Sequence, residues 1–155
     1  PTNSTEIFPL HDYKDQSSSW ETKAPMVEAR MCFSAIVMDK KNIYVFGGIK
    51  GNQTGVDKHV PVMVSNPIEK YNLASNNWEQ IIIANAPVLA SFAWGVSMIN
   101  DQHKFFVFGG SDGNIINSDL WQIDFNNRDA EYIYTDSDDD IVQVAMGKLV
   151  VRESD

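Results

Sequence analysis

Side chains that commonly do chemistry are few and scattered in this chain. Its three histidines, His11, His59 and His103, are more than 40 residues apart from one another and show no spacing typical of a metal site. Cys32 is the single cysteine, so no internal disulfide can form, and its apolar surroundings predict a small buried residue in a strand. We therefore expect no catalytic residue, no bound metal and no cofactor.

An acidic run near the end of the chain has the look of a calcium loop. It reads Asp136-Ser137-Asp138-Asp139-Asp140, but no Gly and no later Glu stands at the spacing that such a loop needs. We expect a solvated loop instead. The net charge is −9, and 12 of the 21 acidic residues lie in residues 101–155. Such a surface repels phosphate backbones, which disfavours nucleic acid and favours a partner with a basic contact surface.

The elements that must position any site come from an internal repeat. The run IYVFGG at residues 43–48 returns as FFVFGG at residues 105–110, 62 residues later. Removing an insertion of about ten residues from the first copy gives a period near 52 residues. A period of roughly 50 residues with about four short strands is the size of a propeller blade.

Several residues around this repeat resemble the kelch family, in order along the chain. The resemblance covers roughly residues 10–134. In the second copy, Ser91 stands about where Arg30 stands in the first, and Ala130 replaces the tryptophan. It implies an all-β fold, a partial kelch-type β-propeller with four-stranded antiparallel blades. The residues that carry it are Trp20, Ala24, Pro25, Met26, Ala29, Arg30, Gly47, Gly48, Tyr71, Trp78, Gly109 and Gly110.

The resemblance divides the chain into four segments. We predict the last strands of a preceding blade in residues 1–25, a blade with a long insertion at 49–66 in residues 26–85, and a second blade in residues 86–135. Residues 136–155 would hold the acidic loop and the start of a degenerate further blade. A propeller of this family closes with about six blades, so we expect the remaining blades to come from the same or another chain.

Runs rich in Val, Ile, Phe and Tyr, separated by Asn, Asp, Gly, Ser and Pro, predict the strands. The expected ranges are 8–13 and 20–23, then 32–38, 42–46, 67–72 and 77–83, and finally 93–99, 104–108, 119–125 and 131–134.

The repeated residues are expected to be structural. The paired glycines permit backbone angles that a Cβ would forbid, and no helix or Lys-Ser/Thr follows them as a phosphate loop would require. Trp20 and Trp78 are expected between blades, with Tyr13 and Tyr71 beside them. Arg30 is interpreted either as a partner for loop carbonyls or a carboxylate, or as a clamp for a ligand.

Strand order brings the 49–66 insertion and the 135–140 loop to one face, which commonly holds the protein partner in the proteins that the chain resembles. The apolar stretch Val60–Val64 is interpreted as a contact patch or as an added edge strand. The candidate partner-binding residues are Lys58, His59, Val60, Val62, Met63, Asp136, Asp138, Asp139 and Asp140.

The function implied by the resemblance is a protein-interaction scaffold or adaptor and not an enzyme. Such proteins include cytoskeletal and ciliary scaffolds and ubiquitin ligase adaptors, so a cytoplasmic location is expected. No run approaches 18 apolar residues, and no membrane contact is expected. Two alternatives remain open: a propeller-bodied enzyme of the copper-radical oxidase kind, with Tyr44 or Tyr71 as a ligand, and a structural subunit whose blades complete a larger assembly.

Overall fold

The computed structural model of the chain describes residues 2–8, 19–50, 62–99 and 102–134, in which every regular element is a β-strand. A two-stranded antiparallel N-terminal hairpin comes first. It pairs β1 (Thr5–Ile7) with β2 (Glu21–Lys23). The sequence predicts a strand at residues 8–13, but the observed strand β1 ends at Ile7. Residues 9–18 lie outside the described ranges.

Two four-stranded antiparallel sheets follow, each a simple meander in which neighbours in sequence are neighbours in the sheet. This strand order is the one expected for propeller blades. The central sheet contains β3 (Ser34–Asp39), β4 (Asn42–Phe46), β5 (Ile68–Asn72) and β6 (Asn77–Gln80). The C-terminal sheet contains β7 (Ala93–Ile99), β8 (Gln102–Phe108), β9 (Leu120–Asp124) and β10 (Asp129–Tyr134).

The same turn closes the outer strand pair of both sheets. The side chain of Asn72 accepts hydrogen bonds from the amides of Ala74 and Ser75. In the C-terminal sheet, Asp124 accepts them in the same way from the amides of Asn126 and Asn127. The last turn residues, Asn76 and Arg128, have φ of 50° and 55°. Asn and Asp favour such turns because their side chains bond locally to the backbone. The turn type is therefore set by local sequence.

The core lies between the sheets. Phe46 and Ile68 of the central sheet pack with Phe105, Val107 and other residues of the C-terminal sheet. The ring of Phe46 meets that of Phe105 at 5.6 Å between centroids. A second cluster lies between the central sheet and the N-terminal hairpin. It combines Met26, Val45, Tyr71 and Trp78 with Ile7, Ala24 and Ile43. The central sheet thus buries both of its faces against its neighbours, as stacked repeats do.

Two sequence-based expectations for single residues are wrong. Trp20 is 66% exposed instead of lying between two sheets. The N-terminal hairpin covers Trp78, but no described residue stands at the corresponding side of Trp20. Cys32 is exposed, with φ of 58°, in the bend before β3 and not in a strand.

The structure also corrects the alignment of the two repeats. Met31 pairs with Ile49, and Ala90 pairs with Ser111, each partner being the residue that follows a Gly-Gly pair. Residue 89 therefore corresponds to residue 30, and Leu89, not Ser91, stands in the position of Arg30. Ser91 corresponds to Cys32 and shares its positive φ. The hairpin between β7 and β8 is three residues longer than that between β3 and β4. Counting back from the Gly-Gly pairs in the sequence therefore does not align the two repeats correctly.

Candidate functional site

Loops from both sheets meet on one face, which we call the loop face. It is formed by the described parts of the β4–β5 loop (residues 47–50 and 62–67), the β6–β7 connection (81–92) and the β8–β9 loop (109–119). The amide of Gly48 donates to the carbonyl of Leu89 at 2.8 Å, and the amide of Ser91 donates to the carbonyl of Cys32 at 3.1 Å. These bonds tie the connections of adjacent sheets together. Loops on such a rigid frame are where sites usually lie.

A buried arginine organises the loop face of the central sheet. Arg30 is 2% exposed, and its Nη1 donates to the carbonyl of Gly47 at 2.9 Å and to that of Pro67 at 3.2 Å. Its Nη2 donates to the carbonyl of Asn66 at 3.3 Å and to the carboxylate of Glu69. Both terminal nitrogens are thus committed to the protein. Arg30 holds the two ends of the β4–β5 loop, as its interpretation as a partner for carbonyls and a carboxylate predicts.

Glu69 completes this buried network. Its side chain is fully buried, and its two oxygens accept hydrogen bonds from the amides of Val27 at 2.7 Å and Glu28 at 3.1 Å. A buried carboxylate is tolerated only with such partners, because the charge loses its hydration. The segment that leads into β3 is therefore pinned to β5 by a carboxylate and a guanidinium.

A second, more accessible ion pair lies beside this network. Lys50 Nζ lies 2.6 Å from a carboxylate oxygen of Glu28, and it also donates to Ser65 Oγ at 2.5 Å. The amide of Ser65 donates to the other oxygen of Glu28 at 2.9 Å. Both charged side chains keep about a fifth of their surface exposed, 21% for Lys50 and 18% for Glu28.

The electrostatics of this pair keep Glu28 ionised. Burial acts to raise the pKa of Glu28, but the hydrogen bond from Lys50 and that from the Ser65 amide outweigh it, so the pKa lies below its ordinary value. At neutral pH the pair therefore offers a carboxylate acceptor and an ammonium donor side by side. Sequence reasoning missed Glu28, Lys50 and Ser65, since they stand 15 to 37 residues apart and belong to no motif.

The C-terminal sheet does not repeat the buried charges. Glu69 faces Val45 across β4 and β5, and Trp121 faces Val107 across β8 and β9, so Trp121 stands in the position of Glu69. With Leu89 in the position of Arg30, the polar pair of one sheet is replaced by two apolar residues in the next. The charged network of the loop face thus belongs to the central sheet.

The structure places only part of the predicted partner-binding set. Val62 and Met63 are half-buried and belong to a segment that pairs with residues 48–50. The backbone amide of Lys50 donates to the carbonyl of Val62 at 2.7 Å, and the amide of Val64, a residue that is 2% exposed, donates to the carbonyl of Gly48 at 3.2 Å. This end of the stretch covers its own sheet. The other candidates, Lys58, His59, Val60, Asp136, Asp138, Asp139 and Asp140, lie outside the described residues.

Of the paired glycines, Gly47 and Gly48 have φ of 70° and 107°, and Gly109 and Gly110 have φ of 67° and 86°. Among the described residues, no group of three or more His, Cys, Asp or Glu could hold a metal ion. No helix in that same part of the chain is long and apolar enough to cross a membrane.

Comparison with known proteins bears on both fold and function. No family model matches the chain. N-acetylneuraminate epimerase of Escherichia coli O157:H7 is 37% identical over 76 residues, which are 49% of this chain and 18% of the relative. The enzyme of the same name from Escherichia coli strain K12 is 32% identical over 92 residues, 59% of this chain and 23% of the relative. The matches thus span about a fifth of the length of these curated relatives.

A solved structure, that of YjhT, superposes with a TM-score of 0.65 at 18% identity, covering 87% of this chain and 46% of that chain. YjhT is a β-propeller. With the meander sheets described above, this confirms the predicted fold class: the chain is an all-β part of a propeller built from four-stranded antiparallel sheets.

The predicted function class is wrong. The chain was expected to be a scaffold or adaptor and not an enzyme, yet the curated relatives that it matches are named as enzymes. The finding supports the alternative of a propeller-bodied enzyme. The prediction of a scaffold was wrong because it was inferred from a resemblance to a fold family, and one fold hosts unrelated functions.

Proposed function

We propose that this chain is part of a kelch-type propeller enzyme that epimerises an acidic sugar of the N-acetylneuraminate kind. The observation that carries the proposal is the 32–37% identity to N-acetylneuraminate epimerases over 49–59% of the chain. The kelch type is supported by the ordered motif residues, among them Arg30, the Gly-Gly pairs and Trp78.

The loop face supports this reaction type chemically. Inversion of a stereocentre in a sugar needs a group that accepts a proton and a group that returns one. Glu28 and Lys50 supply an ionised carboxylate and an ammonium within 2.6 Å of each other, and both reach the surface. The ammonium also suits the carboxylate of a sugar acid. We assign proton transfer and substrate binding to this pair.

Arg30 and Glu69 support the site in this proposal and do not take part in the reaction. Their charged atoms are buried and bonded to each other and to the backbone of residues 27, 28, 47, 66 and 67. They set the position of the Glu28 backbone and of the loop that carries Ser65. We therefore treat them as positioning residues that do not touch the substrate.

The test is an NMR assay of epimer interconversion. A non-equilibrium mixture of N-acetylneuraminate epimers is followed with the longest natural form of the protein that contains these residues. We expect acceleration over buffer, and none with an uncharged N-acetylhexosamine. A protein that leaves the N-acetylneuraminate rate at the buffer value contradicts the proposal.

Matched variants separate the site from the fold. Glu28→Gln is expected to lower kcat/KM by roughly 10²-fold or more, as loss of a general acid–base group does, and Lys50→Met is expected to raise KM. The control pair is Lys70 and Glu79, an ion pair between β5 and β6 with side chains 24% and 51% exposed. Lys70→Met and Glu79→Gln are expected to leave kcat/KM within about twofold, because surface pairs contribute little.

A further inference from the structure

A serine hydroxyl completes the charged cluster of the loop face. Lys50 Nζ carries only hydrogen-bond donors, so Ser65 Oγ is the acceptor in their 2.5 Å contact. The proton of the Ser65 hydroxyl therefore points away from Lys50. Ser65 is exposed, and no described residue accepts a hydrogen bond from its hydroxyl. The hydroxyl is thus a donor at the surface, and it is strengthened by the ammonium from which it accepts.

The position of Ser65 comes from one extra residue in the loop of the central sheet. In both four-stranded sheets, the carbonyl of the second paired glycine accepts an amide from the end of the loop, and the amide of the first glycine donates to a carbonyl there. In the central sheet these partners are Val64 and Pro67, with two residues between them. In the C-terminal sheet they are Asn117 and Asp119, with one residue between them. Ser65 lies in the longer segment.

The two charged partners of Ser65 are also confined to the central sheet. In the register of the two repeats, Pro87 stands in the position of Glu28, and Asp112 stands in that of Lys50. The side chain of Asp112 accepts the amides of two residues in its own loop instead. The C-terminal sheet forms the same four-stranded meander without this cluster. The propeller frame therefore does not require Glu28, Lys50 and Ser65, which leaves them available for chemistry.

We propose that Ser65 touches the sugar and closes a proton relay with Lys50 and Glu28, an inference that rests on the proposed epimerase function. Glu28 takes a proton from the sugar, and the electron pair of the broken bond stays on the sugar. The new bond to hydrogen forms with the proton of the Ser65 hydroxyl. Lys50 then reprotonates Ser65 across 2.5 Å and receives the proton held by Glu28 across 2.6 Å. Protons are conserved in each turnover, and no other reactant is needed.

The relay is tested with Ser65→Ala in the longest natural form of the protein, because this change keeps the backbone amide that donates to Glu28. We expect kcat for interconversion of N-acetylneuraminate epimers to fall about 10²-fold or more. Kd for N-acetylneuraminate is expected to rise by less than about tenfold, since one hydrogen bond is lost. Ser65→Thr restores the hydroxyl and is expected to recover most of kcat.

The matched control is Ser75→Ala in the turn between β5 and β6. Ser75 is also exposed, and its amide also donates to a side-chain oxygen, that of Asn72. This control is expected to leave kcat and Kd unchanged. Glu28→Gln combined with Ser65→Ala should lower kcat little beyond Glu28→Gln alone, because residues that act as one unit are not additive.

The deuterium content of the solvent separates a relay from a structural role. In mixtures of H₂O and D₂O, kcat of the original protein is expected to follow a curve, because several protons move in the same step. The residual kcat of Ser65→Ala is expected to vary linearly, since the relay is broken. A role of Ser65 in loop structure alone would leave the shape of this dependence unchanged.

Failure of the relay and failure of the proposed function give different results. If the original protein interconverts the epimers and Ser65→Ala has the same kcat, the relay is wrong and the epimerase function stands. Equal losses of kcat in Ser65→Ala and Ser65→Thr at unchanged melting temperature also overturn the relay, because an exposed position has room for the added methyl group. An original protein that does not interconvert the epimers overturns the proposed function and the relay with it.

Discussion

The amide of Gly48 donates to the carbonyl of Leu89 at 2.8 Å, so the loop of the central sheet closes directly on the connection to the next sheet. A Cβ on Gly47 would lie 2.2 Å from the same oxygen. The glycine pair therefore does two things at once: it permits positive φ, and it lets two backbones approach more closely than any side chain allows.

Gly47→Ala is expected to destabilise the protein strongly. Its φ of 70° costs an alanine about 1–2 kcal/mol, and the clash with the Leu89 carbonyl adds to that because backbone atoms must move. Chemical denaturation measures the loss. Gly113→Ala, at φ of 98° in the β8–β9 loop, serves as the control for backbone strain. Equal losses at both positions would show that the Leu89 contact contributes nothing.

Trp78 is expected to hold the N-terminal hairpin to the central sheet. Its Nε1 donates to the carbonyl of Ala24 at 2.9 Å and to Thr5 Oγ1 at 3.1 Å, and the side chain is 9% exposed. Trp78→Ala should cost about 3–5 kcal/mol of unfolding free energy. Trp20→Ala, at a side chain that is 66% exposed, should stay within about 0.5 kcal/mol. Thermal melts of both variants measure these losses of stability. An unchanged melting temperature for Trp78→Ala would show that Trp78 does not stabilise the core.

The buried pair of Arg30 and Glu69 can be replaced by the two residues that occupy the same positions in the C-terminal sheet. Arg30→Leu alone should cost about 3–5 kcal/mol, because it leaves a buried carboxylate without its cation. Adding Glu69→Trp copies the residues found at Leu89 and Trp121 and should recover part of the loss. Recovery will be incomplete, since Glu69 also accepts the amides of residues 27 and 28.

A double-mutant cycle of unfolding free energies measures this exchange. The coupling between the two positions is expected to be favourable by 1 kcal/mol or more, on the order of contacting residues in one network. Additive losses would mean that the two side chains stabilise the fold independently, despite their direct contact.

Asp124 is expected to make stability depend on acid pH. Burial acts to raise its pKa, but the hydrogen bonds from Lys104 and from the amides of residues 127 and 126 lower it below the ordinary value. A carboxyl with a lowered pKa in the folded state stabilises the protein above its unfolded pKa of about 3.9. That contribution is lost as the pH falls through the folded pKa.

Asp124→Asn tests this, because the amide oxygen can still accept the turn amides while the charge is gone. Melting temperatures of the original protein and the variant should differ most at neutral pH and converge as the pH falls below the folded pKa of Asp124. A difference that stays constant with pH would assign the effect of the substitution to packing and not to charge.

Local sequence was enough for most of the strands and turns of the two four-stranded sheets, but not for β1 or for the start of β3. Alternation of Val, Ile, Phe and Tyr with short polar turns sets the range Asn42–Phe46 without reference to any distant residue, and the Gly-Gly pairs mark the ends of β4 and β8. The repeat of these signals at a fixed interval also predicts stacked four-stranded sheets, because each copy must bury its apolar face on the next.

Burial and pairing were decided by tertiary structure, because they depend on which segments lie next to each other. Trp20 and Trp78 have the same local pattern, yet among the described residues a hairpin covers Trp78 while Trp20 is left exposed. Glu28, Lys50 and Ser65 come together across 37 residues by closure of one loop on another segment. A period of hydrophobic residues encodes the frame of a propeller, but the charged groups of the proposed site meet only after the chain has folded.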